Sequence, residues 1–210
     1  LSYQAKNNLD IFKNTASTFK KIFPNINYTS QNIHGTNNSK IKIGFISEFF
    51  TQHTIGKLFG GLIKNLNKKL FDVTIFHLPL TKKSLIKEQI DKTANKVVNL
   101  EYKISDQHKQ IEKEKLDIIF YPDIGMSNST YFLAFSKLAP VQIVSWGHPD
   151  TTGIDTIDYF LSSVLFENSI TQKKYSDGSR IYSSCSRLGY SLCYYRYRRG
   201  AWRFRKSRKK

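Results

Sequence analysis

Two turns of the sequence combine a histidine with small polar residues directly after an apolar run. The first turn is Glu48–Thr54, which contains His53, and the second is the loop Gly147–Gly153, which contains His148. A neutral imidazole can donate or accept a proton near pH 7, which suits acid–base catalysis. We therefore predict a catalytic role for His53. The alternative is that His53 is only a helix cap or a surface residue.

The loop after the second apolar run concentrates small hydrogen-bonding groups between two glycines. Such a loop is typical of a ligand-binding turn on a constrained backbone. The residues that we predict to contact a substrate are Gly147, His148, Pro149, Thr151, Thr152 and Gly153.

A third turn, Tyr121–Ser127, follows another apolar run. Asp123 stands at its start and can orient a histidine or a sugar hydroxyl, so it is a second predicted catalytic residue. Ser127 is a predicted substrate contact. The alternative is equally simple, because aspartate and glycine often do no more than form turns.

Several common site classes are absent from the sequence. There is no G-x-G-x-x-G fingerprint, P-loop, G-x-S-x-G elbow or H-E-x-x-H motif. Both cysteines, Cys185 and Cys193, lie near the C-terminus, and no histidine has partners at metal-ligand spacing. We predict neither a metal site nor a bound cofactor.

Hydrophobic periodicity predicts the elements that must position these turns. Strands and helices alternate from residue 40 onward, which favours a parallel sheet flanked by helices, a Rossmann-like α/β fold. A helix over 5–23 and an Asn/Ser-rich linker over 25–39 precede this region. The predicted strands are 40–47, 71–77, 97–100, 116–121, 141–146 and 158–162, and the predicted helices are 55–69, 82–95, 105–115 and 129–138.

The net charge of +17 is unevenly distributed along the 210 residues. All eight arginines lie within residues 177–210, where they alternate with aromatic residues. This change predicts three regions: an N-terminal helix and linker (1–39), a catalytic lobe (40–176) and a basic tail (177–210), disordered or derived from a frameshift. No apolar run is long enough to span a bilayer and no signal sequence is visible, so we expect a cytoplasmic protein.

Five segments resemble the O-linked N-acetylglucosamine transferase and SPINDLY family, in its bacterial tetratricopeptide-linked form. They are Lys42–Ser47 with the His53 turn, Asp117–Met126, Leu138–Gln142, Trp146–Ile154 and Ile157–Ser163. The resemblance covers about residues 40–176.

The resemblance implies the N-terminal lobe of a two-lobed (GT-B) glycosyltransferase. It further implies inverting, metal-independent transfer of a sugar, commonly N-acetylglucosamine, from a UDP donor to protein Ser or Thr hydroxyls, although relatives glucosylate Asn. His53 would lie on the sugar and acceptor side of the cleft, the Trp146–Gly153 loop would line the donor sugar pocket, and Ser127 would match a sugar-contacting threonine. The catalytic base is left open between His53, Asp123 and a water relay.

The resemblance stops near Ser176, before the second lobe that holds most UDP contacts in the family. We therefore expect a fragment, inactive alone, whose full-length protein also carries upstream tetratricopeptide repeats. The alternative function is nucleic-acid binding through the basic aromatic tail. Lysines scattered over the rest of the chain are typical of a solvated surface, so nucleic acid is the less favoured partner.

Overall fold

A computed structural model describes residues 7–33, 39–148 and 150–161, together with the backbone of 195–198 and 201–204. Six parallel strands form one sheet in the order β3-β2-β1-β4-β5-β6. The strands are β1 Ile41–Ser47, β2 Phe71–His77, β3 Lys96–Asn99, β4 Ile118–Tyr121, β5 Val141–Ser145 and β6 Tyr159–Leu161. The helices are α1 Leu9–Ile22, α2 Thr54–Asn65, α3 Leu85–Thr93, α4 Ile104–Lys113 and α5 Asn128–Leu133, with a 3-10 turn at Pro24–Ile26. The predicted α/β parallel fold is confirmed.

Helices cover both faces of the sheet, which explains why consecutive residues are buried in its central strands β1 and β4. Successive strand residues point to opposite faces, so Phe45 packs with α2 and α3 while Ile46 packs with α1, α4 and α5. Phe59 of α2 and Ile111 of α4 are among the buried helix residues on the two sides. The sheet is therefore the middle layer of a three-layer lobe.

The segment between α1 and β1 lies within the predicted linker, yet it packs against the lobe. Tyr28 and Ser30 pair through their backbone with Lys137, and Ile26 is buried. This pairing also explains why α5 ends at Leu133, short of the predicted 138. The chain beyond α5 leaves the helix to form these hydrogen bonds with the N-terminal segment.

The basic tail contributes two short described strands, β7 Tyr195–Arg198 and β8 Ala201–Phe204, which pair antiparallel as a hairpin. Within the described part of the chain, no helix is both long and apolar enough to cross a membrane.

Candidate active site at the sheet switch point

The strand order determines where a site can form. The chain passes from β1 outward to β2 and β3, and then returns to place β4 on the other side of β1. The loops after β1 and β4 therefore diverge to opposite faces of the sheet. In open α/β folds the crevice at this switch point, outside the carboxyl ends of the strands, is where ligands bind.

The two strands that flank the switch point are joined by a buried hydrogen bond. Ser47, the last residue of β1, donates its hydroxyl to Asp123 Oδ2 at 2.8 Å, and Ser47 Oγ in turn accepts from the backbone N–H of Phe49. Asp123 follows β4 by two residues. The predicted catalytic aspartate is therefore at the floor of the crevice.

Asp123 is completely enclosed, and this changes its chemistry. Burial is the main cause that raises the pKa of its carboxyl to about 7; the negative charge of Glu48 adds to the rise, and the Ser47 hydrogen bond opposes it. Oδ1 is buried without a hydrogen-bond partner. Asp123 is thus a protonatable group near neutral pH, beneath the surface that a substrate would touch.

A second hydrogen bond joins the loops after β1 and β4. Ser127, the N-cap of α5, donates its hydroxyl to Glu48 Oε2 at 2.5 Å and accepts from the backbone N–H of Ser129. Glu48 directly follows β1 and is partly exposed. The loops after β1 and β4 are therefore linked by two carboxyl–hydroxyl pairs, Asp123 with Ser47 and Glu48 with Ser127.

His53 is the N-cap of α2, and its ring is part of that cap. Nδ1 accepts from the backbone N–H of Ile55 at 3.2 Å, and the ring packs on Phe49 with centroids 4.7 Å apart. The N-cap of α2 is therefore His53 itself. Because the Nδ1 lone pair is engaged, the neutral ring carries its proton on Nε2 and acts there as a donor.

The first half of the Gly147–Gly153 loop borders the same crevice. Gly147 donates its N–H to Pro122 O at 3.0 Å, and a Cβ at Gly147 would lie 2.1 Å from that oxygen and 2.6 Å from the Ile55 side chain. The half-buried His148 ring packs on Gly125, whose φ of +102° suits glycine. Burial lowers the pKa of His148. These contacts join the loop after β5 to the loop after β4 and to the start of α2.

The second half of the loop lies against α1 instead. Gly153 has a φ of +69°, and a Cβ there would lie 2.4 Å from the backbone carbon of Phe12. Asn8 donates its side-chain amide to Asp150 Oδ2 at 2.8 Å. Thr151 and Thr152 are both buried in this segment. Their predicted substrate contacts stay predictions, and Pro149 lies outside the described residues.

Two further histidines are core residues. His77 at the end of β2 pairs through Nε2 with Asp91 of α3 at 2.6 Å, and burial lowers its pKa. His108 of α4 stacks on Tyr28 and bonds to Ser136, and burial lowers its pKa to about 4. Both side chains hold helices and the N-terminal segment to the sheet. Among the described residues, no cluster of three or more His, Cys, Asp or Glu side chains could hold a metal ion.

The crevice thus unites most of the predicted site residues and adds two that sequence reasoning missed. His53, Asp123, Ser127, Gly147 and His148 all lie on the loops that meet there, as the preceding contacts establish. The additional residues are Ser47 and Glu48. Only the strand order could have indicated them, because the residues that follow the two strands at a switch point lie close together.

Comparison with known proteins gives a consistent family assignment. A family model described as "Glycosyl transferase family 41" matches residues 14–183. The match begins inside α1, so it extends further toward the N-terminus than the resemblance seen in the sequence. It includes every predicted site residue.

Three individual proteins illustrate the similarity. The UDP-glucose:protein N-beta-glucosyltransferase of Actinobacillus pleuropneumoniae serotype 5b is 35% identical over 63 residues, which is 30% of this chain and 10% of that protein. A probable UDP-N-acetylglucosamine–peptide N-acetylglucosaminyltransferase of Arabidopsis thaliana, SEC, is 23% identical over 124 residues, 59% of this chain and 13% of that protein.

The third is a solved structure, a mutant of the Thermobaculum terrenum O-GlcNAc transferase. It superposes with a TM-score of 0.71 at 13% identity, covering 86% of this chain and 35% of that chain. The likeness confirms the predicted fold class, a Rossmann-like lobe of the GT-B type. The chain spans about a tenth of the length of these curated relatives and about a third of the solved structure.

Proposed function

The chain belongs to glycosyl transferase family 41, and from this premise we propose that its switch-point crevice binds the nucleotide-sugar donor of a protein glycosyltransferase. One observation carries the proposal. The loops after β1, β4 and β5 and the start of α2 are joined by direct contacts around one crevice, at the position where open α/β sheets bind ligands.

The positive end of α2 and the His53 ring suit the leaving diphosphate. The α2 dipole favours negative charge at its N-terminus, and the first-turn amides of a helix lack intrahelical partners. His53 uses Nδ1 to cap Ile55, which leaves Nε2–H to donate to a phosphate or acceptor oxygen. In this geometry His53 stabilises charge as a donor, and abstraction of a proton would first require loss of the cap.

Asp123 suits an indirect role in the proton transfer that glycosylation requires. Its carboxyl is enclosed, with a pKa of about 7 and an unpartnered Oδ1. A water relay from the acceptor hydroxyl to Asp123 would let an enclosed group accept the proton. The acceptor oxygen then forms its bond to the sugar carbon as that carbon's bond to the diphosphate breaks, and the diphosphate departs with the electron pair.

The proposed donor, sugar and acceptor are taken from the names of the relatives. We propose a UDP donor, because the names of both curated relatives specify UDP-sugars. N-acetylglucosamine transfer to Ser or Thr is the proposed reaction, with inversion and without a metal; glucose transfer to Asn is the specific alternative, since the 35% identical relative is named for protein N-glucosylation. Transfer itself is proposed to need a second lobe, so the activity expected of this chain alone is donor binding.

Saturation-transfer NMR on the chain tests this proposal. UDP-N-acetylglucosamine and UDP-glucose are each added at millimolar concentration, with and without EDTA, and inorganic pyrophosphate serves as the control for charge attraction to the basic tail. The expected result is saturation transfer to the hexose protons of one UDP-sugar, insensitive to EDTA. Signals equal for both sugars and abolished by pyrophosphate would indicate charge attraction alone and would contradict the proposal.

A further inference from the structure

Glu48 has a carboxylate to which the proposed function assigns no role. It is a partly exposed carboxylate directly after β1, next in sequence to Ser47, which is bonded to the enclosed Asp123. The negative charge of Glu48 contributes to the raised pKa of Asp123, after burial. Of the two acids at the switch point, Glu48 is therefore the one that a ligand can reach.

One oxygen of Glu48 is held in place by the loop after β4. Ser127 donates its hydroxyl proton to Glu48 Oε2, and the same hydroxyl oxygen accepts from Ser129 N–H in the first turn of α5. The single hydroxyl proton of Ser127 is therefore engaged in the hydrogen bond to Glu48. This leaves Glu48 Oε1 as the acceptor that the crevice can offer to a ligand hydroxyl.

The charge of Glu48 also determines which part of a nucleotide sugar it can meet. A carboxylate accepts hydrogen bonds from hydroxyls and repels phosphate. His53 and the positive end of α2, five residues further along the same loop, attract phosphate instead. A bound donor would thus lie with its diphosphate toward α2 and its hexose toward Glu48.

We propose that Glu48 is a specificity-determining residue of the crevice, a carboxylate fixed by Ser127 that accepts a hydrogen bond from a hydroxyl of the donor hexose. This inference rests on the proposed function, because it needs a bound nucleotide sugar. It assigns to Ser127 the task of positioning Glu48, in place of the direct sugar contact predicted from the sequence.

The test compares UDP-N-acetylglucosamine with UDP on the wild-type chain and on Glu48→Gln. Glutamine keeps an oxygen for Ser127 and removes the charge, so amide exchange at Ser129 checks that α5 stays in place. A hydrogen bond to a charged group contributes about 1.5–3 kcal/mol, so Glu48→Gln should weaken UDP-N-acetylglucosamine binding roughly tenfold or more. Binding of UDP should be unchanged or tighter. Glu101→Gln, an exposed site after β3, is the matched control and should change neither ligand.

The outcomes separate this inference from the function on which it rests. If the wild-type chain prefers UDP-N-acetylglucosamine to UDP and Glu48→Gln keeps the same preference, the role of Glu48 is overturned while the proposed function stands. If both ligands weaken equally in Glu48→Gln, its role is structural and the inference fails. A wild-type chain that binds UDP-N-acetylglucosamine no more tightly than UDP would overturn the role of Glu48, and one that binds neither UDP nor any UDP-sugar would overturn both.

Discussion

At the scale of single residues, the crevice combines groups with opposed environments. Asp123 is enclosed and protonatable near pH 7, whereas Glu48, one residue beyond its Ser47 partner, faces the crevice. Burial of the Asp123 carboxyl lowers the stability of the fold at neutral pH, and this cost is measurable.

Asp123→Asn should become more stable than the wild type as the pH rises. The folded state raises the pKa of Asp123 from 3.8 to about 7, so the proton stabilises the fold below about pH 4 and this contribution is lost as the pH rises through 7. Asparagine does not ionise. The unfolding free energy of Asp123→Asn minus that of the wild type should therefore rise by up to about 4 kcal/mol between pH 4 and pH 8. Urea denaturation at both pH values measures it. A pH-independent difference would show that Asp123 titrates normally.

Two substitutions distinguish the helix-capping role of His53 from a role of its Nε2 donor in ligand binding. Asparagine is a good N-cap and alanine is not, so His53→Ala should lower the unfolding free energy by about 1 kcal/mol while His53→Asn leaves it nearly unchanged. Both variants lack the Nε2 donor, and both should weaken UDP binding if His53 contacts the diphosphate. Denaturation measures the unfolding free energy of the two variants, and UDP titration measures their affinity for the nucleotide. Unchanged UDP binding in His53→Asn would restrict His53 to helix capping.

At the scale of elements, α1 braces the loop that follows β5. Gly153 touches the backbone of Phe12, Asn8 binds Asp150, and Lys20 pairs with Asp155. Phe19 of α1 also packs edge-on against Phe132 of α5. The N-terminal helix thus fixes the same loop whose first half borders the crevice.

Gly153→Ala should detach α1 from this loop. The positive φ and the 2.4 Å approach to the Phe12 backbone together predict a loss of at least about 2 kcal/mol in unfolding free energy. Gly61→Ala is the matched control, because a Cβ at Gly61 meets nothing within 4 Å and alanine favours the helix by about 0.5–1 kcal/mol. Thermal denaturation compares the two. Equal stability of both variants would contradict the bracing role of α1.

The N-terminal segment should loosen in mild acid through His108. The fold lowers the pKa of His108 to about 4 from 6.5, so the unfolded chain takes up a proton first, and stability is lost as the pH falls from 6.5 toward 4. His108→Gln removes this titration and should reduce the difference in unfolding free energy between pH 7 and pH 5 by up to about 2 kcal/mol. The readout is that difference, which the lost stacking on Tyr28 does not affect. An unaltered pH dependence would contradict the prediction.

Element type was predictable from periodicity, and long-range pairing was not. The bounds of β2 were predicted as they stand, because Phe71–His77 is rich in β-branched and aromatic residues and lies between polar segments. The early end of α5 depends on the pairing of Lys137 with Tyr28, more than 100 residues away. Local sequence patterns also could not predict the hydrogen bond from Ser127 to Glu48. This bond forms because β1 and β4 are neighbouring strands, and the sequence does not give the strand order.

At the scale of the whole molecule, the central claim is that the switch-point crevice is where a nucleotide sugar binds. The family match spans residues 14–183, from α1 through every loop of the crevice. The basic tail offers a competing, sequence-independent attraction for anions, and this attraction weakens steeply with salt. Location of the bound ligand therefore decides between the two.

The most direct measurement is an amide chemical-shift map of the chain titrated with UDP-N-acetylglucosamine at moderate salt. We expect shifts concentrated at Glu48, His53, Gly125, Ser127 and Gly147, which lie on the loops after β1, β4 and β5 and at the start of α2. UDP alone should reproduce the shift at His53 without the shift at Glu48. Shifts confined to residues 177–210, or absent from the crevice at millimolar ligand, would contradict the account.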